Sequence, residues 1–263
     1  MSARQPYKPF DLEGHVIIVT GGAAGIGRVY CKRLAQVGAL VVVADLDANA
    51  AAQCAQEIAN AGGQALGLGC DVSSSQAVTR MVTAAHERFG RIDGLVNNAA
   101  LMSALPRGPW NEIDESDWDR VMQVNTKGLY LCCKEVVPHM VRQGRGKIVN
   151  ISSNRVFDGT PNRLHYSTSK AGVIGFTRSL AREVGGDHIC VNAITPGFTA
   201  SDTQLASSDA AHVRKMEEIN QRKAIPRTQT PEDLVGTLLF LLSPASDYIS
   251  GQTINVDGGF VMH

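Results

Sequence analysis

A chain of 263 residues, 44% of them hydrophobic and 19% charged, is long enough for one α/β domain with a sizeable core. Its 25 basic and 25 acidic residues balance, which argues against a nucleic-acid or anionic-membrane partner. The sequence shows no signal-peptide pattern and no apolar run of the roughly 20 residues that span a membrane. Its six cysteines lack metal-binding spacing, so we expect a cytoplasmic protein with reduced thiols and no bound metal.

The first motif along the chain is a glycine-rich turn between a strand and a helix. Residues 15–20 form a short β-branched run typical of a buried parallel strand, and a helical pattern follows that ends at Gly38. The turn between them carries Gly21, Gly25, Ile26 and Gly27. Glycines allow the backbone to approach a pyrophosphate, which a helix N-terminus also attracts. The flanking strand and helix therefore favour a dinucleotide site over an ordinary glycine turn.

The second strand ends in an acidic residue. Residues 40–44 form another buried run, and Asp45 and Leu46 follow it. A carboxylate about 20 residues after the glycines can accept hydrogen bonds from an adenosine ribose and would repel a 2′-phosphate. The nearest cation, Arg28, lies beyond the turn inside the helix. Asp45 therefore predicts NAD rather than NADP, and the alternative is that Asp45 only caps the helix that follows.

The rest of the chain alternates between strand and helix patterns. Further strands are predicted at 64–70, 92–96, 147–151, 188–194 and 252–256, and further helices at 48–61, 75–89, 115–142, 211–222 and 231–242. Such alternation is typical of a parallel sheet that binds its ligand at the carboxyl ends of the strands. We predict an α/β fold: a single doubly wound Rossmann-type domain over residues 1–263, with a seven-stranded, mostly parallel sheet and helices on both faces.

A tyrosine and a lysine four residues apart carry the candidate chemistry. In a helix, Tyr166 and Lys170 project from one face, one turn apart. An ammonium group beside a phenol favours the phenolate, so Lys170 is expected to lower the pKa of Tyr166 from its usual value of about 10. The pair then suits general acid/base catalysis, with Ser152 or Ser153 at the preceding strand end to hold a carbonyl oxygen. Taken alone, the pattern also fits an ordinary helix surface.

Two other segments allow two interpretations each. Asn125 lies inside the predicted helix 115–142, where we interpret it as functional, the alternative being a core amide with satisfied hydrogen bonds. The polar segment 199–227 follows a strand end and is interpreted as a mobile substrate lid, the alternative being a surface insertion.

With these residues in place, the chain resembles the short-chain dehydrogenase/reductase family over residues 11–260. The motifs that carry the resemblance are Thr20-Gly21-x-x-x-Gly25-Ile26-Gly27, Asp71-Val72, Asn97-Asn98-Ala99, Asn125, Ser153, Tyr166-x-x-x-Lys170, Pro196-Gly197, and Gly251-Gln252 to Asp257-Gly258-Gly259. Three positions depart from the family pattern. Ala100 replaces a common glycine, which is a mild change. Val156 stands where glycine is common three residues after Ser153, which affects the pocket wall, and Ser201 replaces a threonine that often touches the nicotinamide carboxamide.

The resemblance implies an NAD-dependent oxidoreductase that transfers hydride between the nicotinamide and a secondary alcohol or ketone. The implied catalytic residues are Asn125, Ser153, Tyr166 and Lys170: Tyr166 as general acid/base, Lys170 lowering its pKa and holding the ribose, Ser153 binding the substrate oxygen, and Asn125 holding a relay water. The implied cofactor-binding residues are Gly21, Gly25, Ile26, Gly27, Asp45, Leu46, Asp71, Val72, Asn98, Ala99, Tyr166, Lys170, Pro196, Gly197, Thr199 and Ser201.

The resemblance leaves the substrate undefined. The stretch 224–227 looks like that of enzymes related to 1-phenylethanol dehydrogenase, which oxidise secondary alcohols beside an aromatic ring. Candidate pocket residues are Met102, Asn154, Arg155, His165 and Phe198. Arg155 either forks onto a substrate carboxylate or pairs with Asp158.

The family also suggests a homotetramer packed through the helices near 115–142 and 166–184. Alternatives are an NADPH-dependent ketone reductase, which Asp45 disfavours, and a catalytically silent dinucleotide sensor. The sensor is disfavoured because all four catalytic positions are filled.

Overall fold

A computed structural model of the protein describes residues 10–102, 105–202 and 210–262. Its centre is a seven-stranded sheet in the order β3-β2-β1-β4-β5-β6-β7. The strands are β1 (Val16–Thr20), β2 (Leu40–Asp45), β3 (Gln64–Gly69), β4 (Gly94–Asn97), β5 (Gly146–Ile151), β6 (Ile189–Pro196) and β7 (Thr253–Val256). All neighbouring strands pair in parallel. The predicted Rossmann-type α/β fold is therefore confirmed, with a sheet that is parallel throughout.

Nine α-helices connect or flank these strands within the described residues. They are α1 (Gly25–Gln36), α2 (Ala48–Asn60), α3 (Ser75–Phe89), α4 (Glu115–Met122), α5 (Gly128–Gln143), α6 (Arg155–Asp158), α7 (Leu164–Val184), α8 (Ala210–Arg222) and α9 (Glu232–Leu242). Short 3-10 turns occupy Trp110–Glu112, Gly185–Asp187 and Pro244–Ser246. Where a helix was predicted, its first and last residues lie within two residues of those observed. Of the predicted lid 199–227, residues 203–209 lie outside the described residues.

The predicted helix 115–142 differs in one respect from the structure. Between α4 and α5, Gln123–Lys127 forms a π-helical turn, in which the Gly128 backbone N–H donates to the Gln123 carbonyl. The Thr126 hydroxyl also donates to the Met122 carbonyl at 2.5 Å. The π turn inserts one extra residue into the helical ladder. Asn125 lies within this turn and is buried.

Both faces of the sheet are covered, as the β-branched strands require. On one face, α1, α2 and α9 pack against Ile17, Val19 and Val41. On the other face, α3, α5 and α7 pack against Ile18 and Val42. Because neighbouring residues of one strand point to opposite faces, each strand contributes to both cores.

The strand order reverses direction between β1 and β4. In such sheets the connections leave on opposite sides at this point, which opens a crevice at the carboxyl ends of the strands. The six cysteines are all buried, and none of them forms a disulfide. Within residues 10–102, 105–202 and 210–262, no helix has the length and apolar composition to cross a membrane.

Candidate active site

One cavity of about 870 Å³ follows the carboxyl edge of the sheet. It begins at Asp45, passes the glycine turn and reaches Tyr166 and Lys170 on α7. Every predicted cofactor-binding residue lies on its wall except Gly27. Of the four predicted catalytic residues, Tyr166 and Lys170 also line this cavity, whereas Ser153 and Asn125 do not.

Gly27 lies behind the wall and gives the glycine turn its shape. A Cβ atom at Gly27 would lie 2.0 Å from the Gly21 carbonyl oxygen and 2.6 Å from Asn98 Nδ2. Gly21 and Gly25 have φ of 62° and 53°, which glycine adopts without strain. The first N–H groups of α1 receive no side-chain cap, since the cap residue is Ala24. This cradle of uncapped amides fits a pyrophosphate.

Asn98 holds the glycine turn against β4. Its side-chain amide donates to the carbonyl oxygens of Thr20 and Gly21 at 3.0 and 2.9 Å. The Thr20 hydroxyl accepts from the backbone N–H groups of Asn98 and Ala99, both at 3.1 Å. Because the Asn98 side chain is engaged in these bonds, its part in a cofactor site is to fix the turn.

Asp45 faces the same turn from the end of β2. Its carboxylate accepts from the backbone N–H of Ala23 at 3.0 Å and of Asp47 at 3.2 Å. The N-cap of α2 is Asp47, which accepts from Asn49 and Ala50. The alternative that Asp45 only caps this helix is therefore wrong. Asp45 presents its charge to the cavity instead.

The nearest cation to Asp45 in sequence is paired elsewhere. Arg28 Nη2 lies 2.6 Å from both carboxylate oxygens of Glu57. Lys32 joins the same carboxylate at 2.8 Å. The Arg28 charge is thus directed to α2 rather than to the ribose end of the cavity.

Ser153, Tyr166 and Lys170 come together where β5 meets α7. All three side chains are buried. The hydroxyl groups of Ser153 and Tyr166 are hydrogen-bonded, and Lys170 Nζ lies 5.9 Å from the centre of the Tyr166 ring. The Ser152 hydroxyl instead donates to the Lys170 carbonyl at 2.7 Å. Of the two serines, Ser153 is therefore the one beside the tyrosine.

The expected lowering of the Tyr166 pKa is wrong for this structure. Burial of the phenol raises its pKa above the usual value, although the hydrogen bond from Ser153 and the charges of Arg155 and Arg163 act in the opposite direction. Burial also lowers the pKa of Lys170 to about 8. Lys170 Nζ donates to the Ile151 carbonyl at 2.7 Å. Desolvation thus outweighs the charge effect expected from the Tyr-x-x-x-Lys spacing.

Asn125 has its side-chain amide satisfied within the protein. Its Oδ1 accepts from the Leu101 N–H at 2.7 Å, and its Nδ2 donates to the Leu101 carbonyl at 3.2 Å and to the Ser169 hydroxyl at 3.0 Å. Asn125 therefore ties the loop after β4 to α7, one residue from Lys170. Its side chain lies behind the cavity wall, as the core-amide alternative expects, and a relay water stays a prediction.

Four of the five predicted substrate-pocket residues line the cavity: Met102, Asn154, Arg155 and Phe198. His165 does not, because its ring is buried on another side of α7, where both ring nitrogens lack a hydrogen-bond partner. That prediction is wrong because residues next to each other in a helix point about 100° apart, so His165 cannot share the Tyr166 face.

Arg155 does not pair with Asp158, and its binding of a substrate carboxylate stays a prediction. Its Nη2 donates to the carbonyl oxygens of Thr160 and Pro161 at 2.7 and 2.9 Å. Asp158 binds the backbone and hydroxyl of Thr160 rather than a guanidinium. Arg155 thus holds the loop before α7, while its charge remains at the cavity wall.

Two arginines that the sequence reading did not identify also line the cavity. Arg107 comes from the loop after β4, and Arg163 directly precedes α7. Arg163 lies three residues before Tyr166, which is nearly one helical turn. This spacing could have identified Arg163 from the sequence as a residue near Tyr166. Arg107 is distant in sequence from every motif.

The described part of the predicted lid contributes to the cavity wall. Thr199 and Ser201 lie near its start, and Ile219, Arg222 and Lys223 lie at the end of α8. The Arg222 guanidinium stacks over the Phe260 ring at 4.6 Å. The end of α8 and the C-terminal tail therefore close the same side of the cavity.

A family model described as enoyl-(acyl carrier protein) reductase matches residues 21–261. Similar curated proteins include the short-chain reductase protein NovJ of Streptomyces niveus, 40% identical with 93% of each chain covered. Another is the cis-4-hydroxycyclohexanecarboxylate dehydrogenase of Sinomonas cyclohexanicum, 38% identical with 93% of this chain and 96% of that one covered. A 3-oxoacyl-acyl-carrier-protein reductase of Synechocystis is 38% identical, with 95% and 98% covered.

The fold also matches a crystal structure assigned as a short-chain alcohol dehydrogenase of Sinorhizobium meliloti 1021. Its TM-score is 0.89 at 32% identity, with 96% of this chain and 98% of that chain covered. The matches extend over nearly the whole chain, so the sheet and the candidate site both lie within them.

Proposed function

The chain belongs to the short-chain dehydrogenase/reductase family of oxidoreductases, and we propose that it transfers a hydride between NAD and a secondary alcohol or the corresponding ketone. The observation that carries this proposal is that Tyr166 and Lys170 line the same cavity as the glycine turn, with the Ser153 side chain beside Tyr166. The family uses a nicotinamide cofactor. Cofactor binding and hydride transfer would thus take place in the same cavity.

The residues present fit a nicotinamide dinucleotide. The glycine turn offers uncapped amides to the pyrophosphate, and Asp45 lies where a ribose would meet its carboxylate. Preference for NAD follows because a 2′-phosphate would meet the Asp45 charge while Arg28 is paired with Glu57. An NADP-dependent enzyme would need a cation at this point, and this is the evidence against the alternative reductase.

The proposed chemistry of oxidation proceeds through Tyr166. The Tyr166 phenolate accepts the proton of the alcohol hydroxyl, and Ser153 donates a hydrogen bond to the same oxygen. The chemistry that bound NAD supplies is acceptance of the hydride from the carbinol carbon. Lys170 stabilises the phenolate and binds the ribose hydroxyl groups, and the resulting proton leaves through a water held at Asn125. In reduction, Tyr166 returns the proton to the carbonyl oxygen.

The class of substrate is supported by two of the relatives. A 3-oxoacyl-acyl-carrier-protein reductase and a hydroxycyclohexanecarboxylate dehydrogenase both have names that place the reacting carbon within a chain or ring. Both names therefore correspond to a reaction between a secondary alcohol and its ketone. The sensor alternative has less support, since Asn125, Ser153, Tyr166 and Lys170 are all present, two of them line the cavity and Ser153 lies beside Tyr166.

Assembly, domain extent and the lid belong to the same proposal. We propose one domain over residues 1–263, a substrate lid at 199–227, and a cytoplasmic homotetramer packed through the helices near 115–142 and 166–184. Tyr130 and Val141 on α5 expose large apolar surfaces that such a contact would cover. Light scattering of the purified protein tests the assembly, and a monomer would contradict it.

The function is tested by measuring kcat/KM for NAD and for NADP with a panel of secondary alcohols. The panel includes cis-4-hydroxycyclohexanecarboxylate, 1-phenylethanol and 3-hydroxyacyl thioesters. We expect NAD-linked turnover of at least one member and a preference for NAD by a factor of about ten or more, equivalent to about 1.4 kcal/mol. Binding of NAD without turnover of any member would favour the sensor, and a preference for NADP would favour the alternative reductase.

A further inference from the structure

The cavity has an adenosine end and a substrate end. Asp45 and Asp71 follow β2 and β3 and line the adenosine end, whereas Tyr166 is on α7, which follows β5, and lines the substrate end. The strands β6 and β7 continue the sheet beyond β5, away from β2 and β3. The segments that follow β6 and β7 therefore lie on the substrate side. Each of them contributes an aromatic residue to the cavity wall, Phe198 and Phe260 respectively.

The C-terminal tail, residues 257–262, begins beside the catalytic serine. The backbone N–H of Asn154, which directly follows Ser153, donates to the Pro196 carbonyl at the end of β6, at 3.0 Å. The Asn154 side chain donates to the Asp257 carboxylate at 3.1 Å. Both side chains of this hydrogen bond are buried. The tail is thus bound directly to the residue next to Ser153.

Asp257 holds the tail in one tight turn. Its Oδ1 accepts from the backbone N–H groups of Gly259 and Phe260 at 3.0 and 3.1 Å. Its Oδ2 also accepts from the Val261 N–H at 3.0 Å. Hydrogen bonds to an ionised carboxylate are stronger than those between neutral groups. The backbone that carries the Phe260 ring is therefore fixed.

Two contacts hold the end of α8 against this turn. The Ile225 N–H donates to the Gly258 carbonyl at 2.9 Å. The Arg222 guanidinium lies over the Phe260 ring, 4.6 Å from its centre, which is a cation–π contact. The Phe260 ring is thus held both by its own turn and by a charged group of α8.

The charged side chains on this side of the cavity make contacts within the protein. Lys223 is buried, and its Nζ donates to the Asn220 side-chain oxygen at 3.0 Å and to the Arg227 carbonyl at 3.1 Å. The Arg222 guanidinium is directed onto an aromatic ring. Three apolar side chains from separate segments line the cavity beside them. These residues, which we call the apolar wall, are Phe198, Ile219 and Phe260.

We propose that Phe260 is a specificity-determining residue that contacts a ring of the substrate, and that Arg222 is a positioning residue that holds the Phe260 ring in place. The inference rests on the proposed function and deepens it, because it defines the substrate class as a secondary alcohol that carries a ring. Two aromatic rings pack offset or edge to face, with their centres about 4.5–7 Å apart. A rigid ring also loses less conformational freedom on binding than an open chain of the same size.

Specificity is measured as the ratio of kcat/KM for acetophenone to that for 2-octanone, an open-chain ketone with the same number of carbons. Phe260→Leu keeps an apolar side chain and removes the aromatic face, so we expect the ratio to fall by about threefold to tenfold, through KM for acetophenone. Phe10→Leu makes the same change at an exposed position outside the cavity and is the matched control. An unchanged ratio in Phe260→Leu would overturn the proposal. An increased ratio would overturn it as well, since the ring would then restrict the cavity.

The positioning role is tested on Arg222. Arg222→Met retains a long side chain and removes the cation, so we expect the ratio to fall by about twofold or more. Arg222→Lys retains a cation and should restore most of the ratio. Arg142→Met, at the far end of α5, removes the same charge outside the cavity and is the control. Equal ratios in Arg222→Met and Arg222→Lys would overturn the positioning role of the cation.

Binding is tested apart from turnover on the Tyr166→Phe protein loaded with NADH. When Phe260→Leu is added, calorimetry should show the affinity for acetophenone falling by about threefold to tenfold and that for 2-octanone by less than about twofold. Acetophenone binding that depends on Phe260, without turnover of any ketone, would leave the ring site in place and count against the oxidoreductase. Turnover of both ketones with the same ratio in all variants would overturn the ring site and leave the oxidoreductase intact.

Discussion

The two ends of the cavity are built in different ways. At the adenosine end, the glycine turn and Asp45 lie within one strand-turn-helix-strand unit of about 30 residues, a typical size for such a unit. At the substrate end, Arg107, Arg163 and Lys170 come from a loop and a helix separated by β5. Groups that are close in sequence set the cofactor end, whereas the substrate end also needs segments that are distant in sequence. Local spacing identifies the glycine turn and the Tyr166–Lys170 pair, but the arginines of the substrate end depend on the complete fold.

The largest effect is expected at the substrate end, from removal of one hydroxyl group. Tyr166→Phe retains the ring and removes the proton acceptor, so kcat should fall by about 10²–10⁴-fold while NAD binding is kept. Steady-state rates and calorimetric NAD binding measure the two effects separately. Retention of more than about a tenth of kcat would show that another group accepts the proton.

At the cofactor end, the corresponding change adds one methyl group. Gly27→Ala introduces a Cβ atom 2.0 Å from the Gly21 carbonyl, so the turn must shift. We expect NAD affinity to fall by about tenfold or more and, for an overpacking cost of about 1–3 kcal/mol, Tm to fall by about 2–10 °C. Gly236→Ala on α9 has open space around its Cβ and is the control, with Tm unchanged or higher. Equal behaviour of the two variants would contradict the close packing of the turn.

A smaller effect is expected from the charge that distinguishes the two cofactors. Asp45→Ala removes the repulsion of a 2′-phosphate, so the ratio of kcat/KM for NAD to that for NADP should fall by about tenfold, or 1.4 kcal/mol. Asp47→Ala removes a nearby carboxylate that caps α2 and should lower stability by about 1 kcal/mol without changing the ratio. A ratio that is unchanged in Asp45→Ala would assign cofactor choice to other residues.

The smallest expected effect is on pH dependence, and it separates oxidation from reduction. Oxidation needs Tyr166 deprotonated, and burial raises its pKa, so the oxidation rate should increase as pH rises above neutrality. Reduction needs the protonated form and should decline only at alkaline pH. Because the hydrogen bond from Ser153 lowers the Tyr166 pKa, Ser153→Ala should shift both profiles to higher pH. An oxidation optimum below neutrality would contradict this assignment.

The comparison of the two ends also shows what the sequence can predict. Hydrophobic runs and glycine spacing predict the seven strands, the turn and the position of Asp45, because each depends on neighbouring residues. The π turn at Gln123–Lys127 could not be predicted, since its helical pattern is the same as that of the flanking helices. The raised pKa of Tyr166 depends on burial, which spacing does not reveal. The prediction that His165 lines the pocket was wrong for another reason, because His165 is next to Tyr166 in α7 and therefore points to a different side of the helix.

The arginines show the same limit at the substrate end. Arg155 was noticed because it follows Ser153 closely, but its hydrogen bonds to Thr160 and Pro161 depend on how the loop returns to α7. Arg107 reaches the wall only because the loop after β4 folds over the cavity. The positions of such residues depend on contacts between segments that are distant in sequence. The structure shows these contacts, whereas a sequence motif does not.

The most direct test of the account is the transfer of isotope from cofactor to substrate. NADH carrying two deuterium atoms at C4 of the nicotinamide is incubated with the protein and a pool of ketones and keto acids, and the products are analysed by mass spectrometry. We predict that at least one product alcohol gains a single deuterium with the native protein and that labelling is lost with Tyr166→Phe. If no ketone is labelled although NADH binds, or if both proteins label it equally, the assignment of hydride transfer to this site is contradicted.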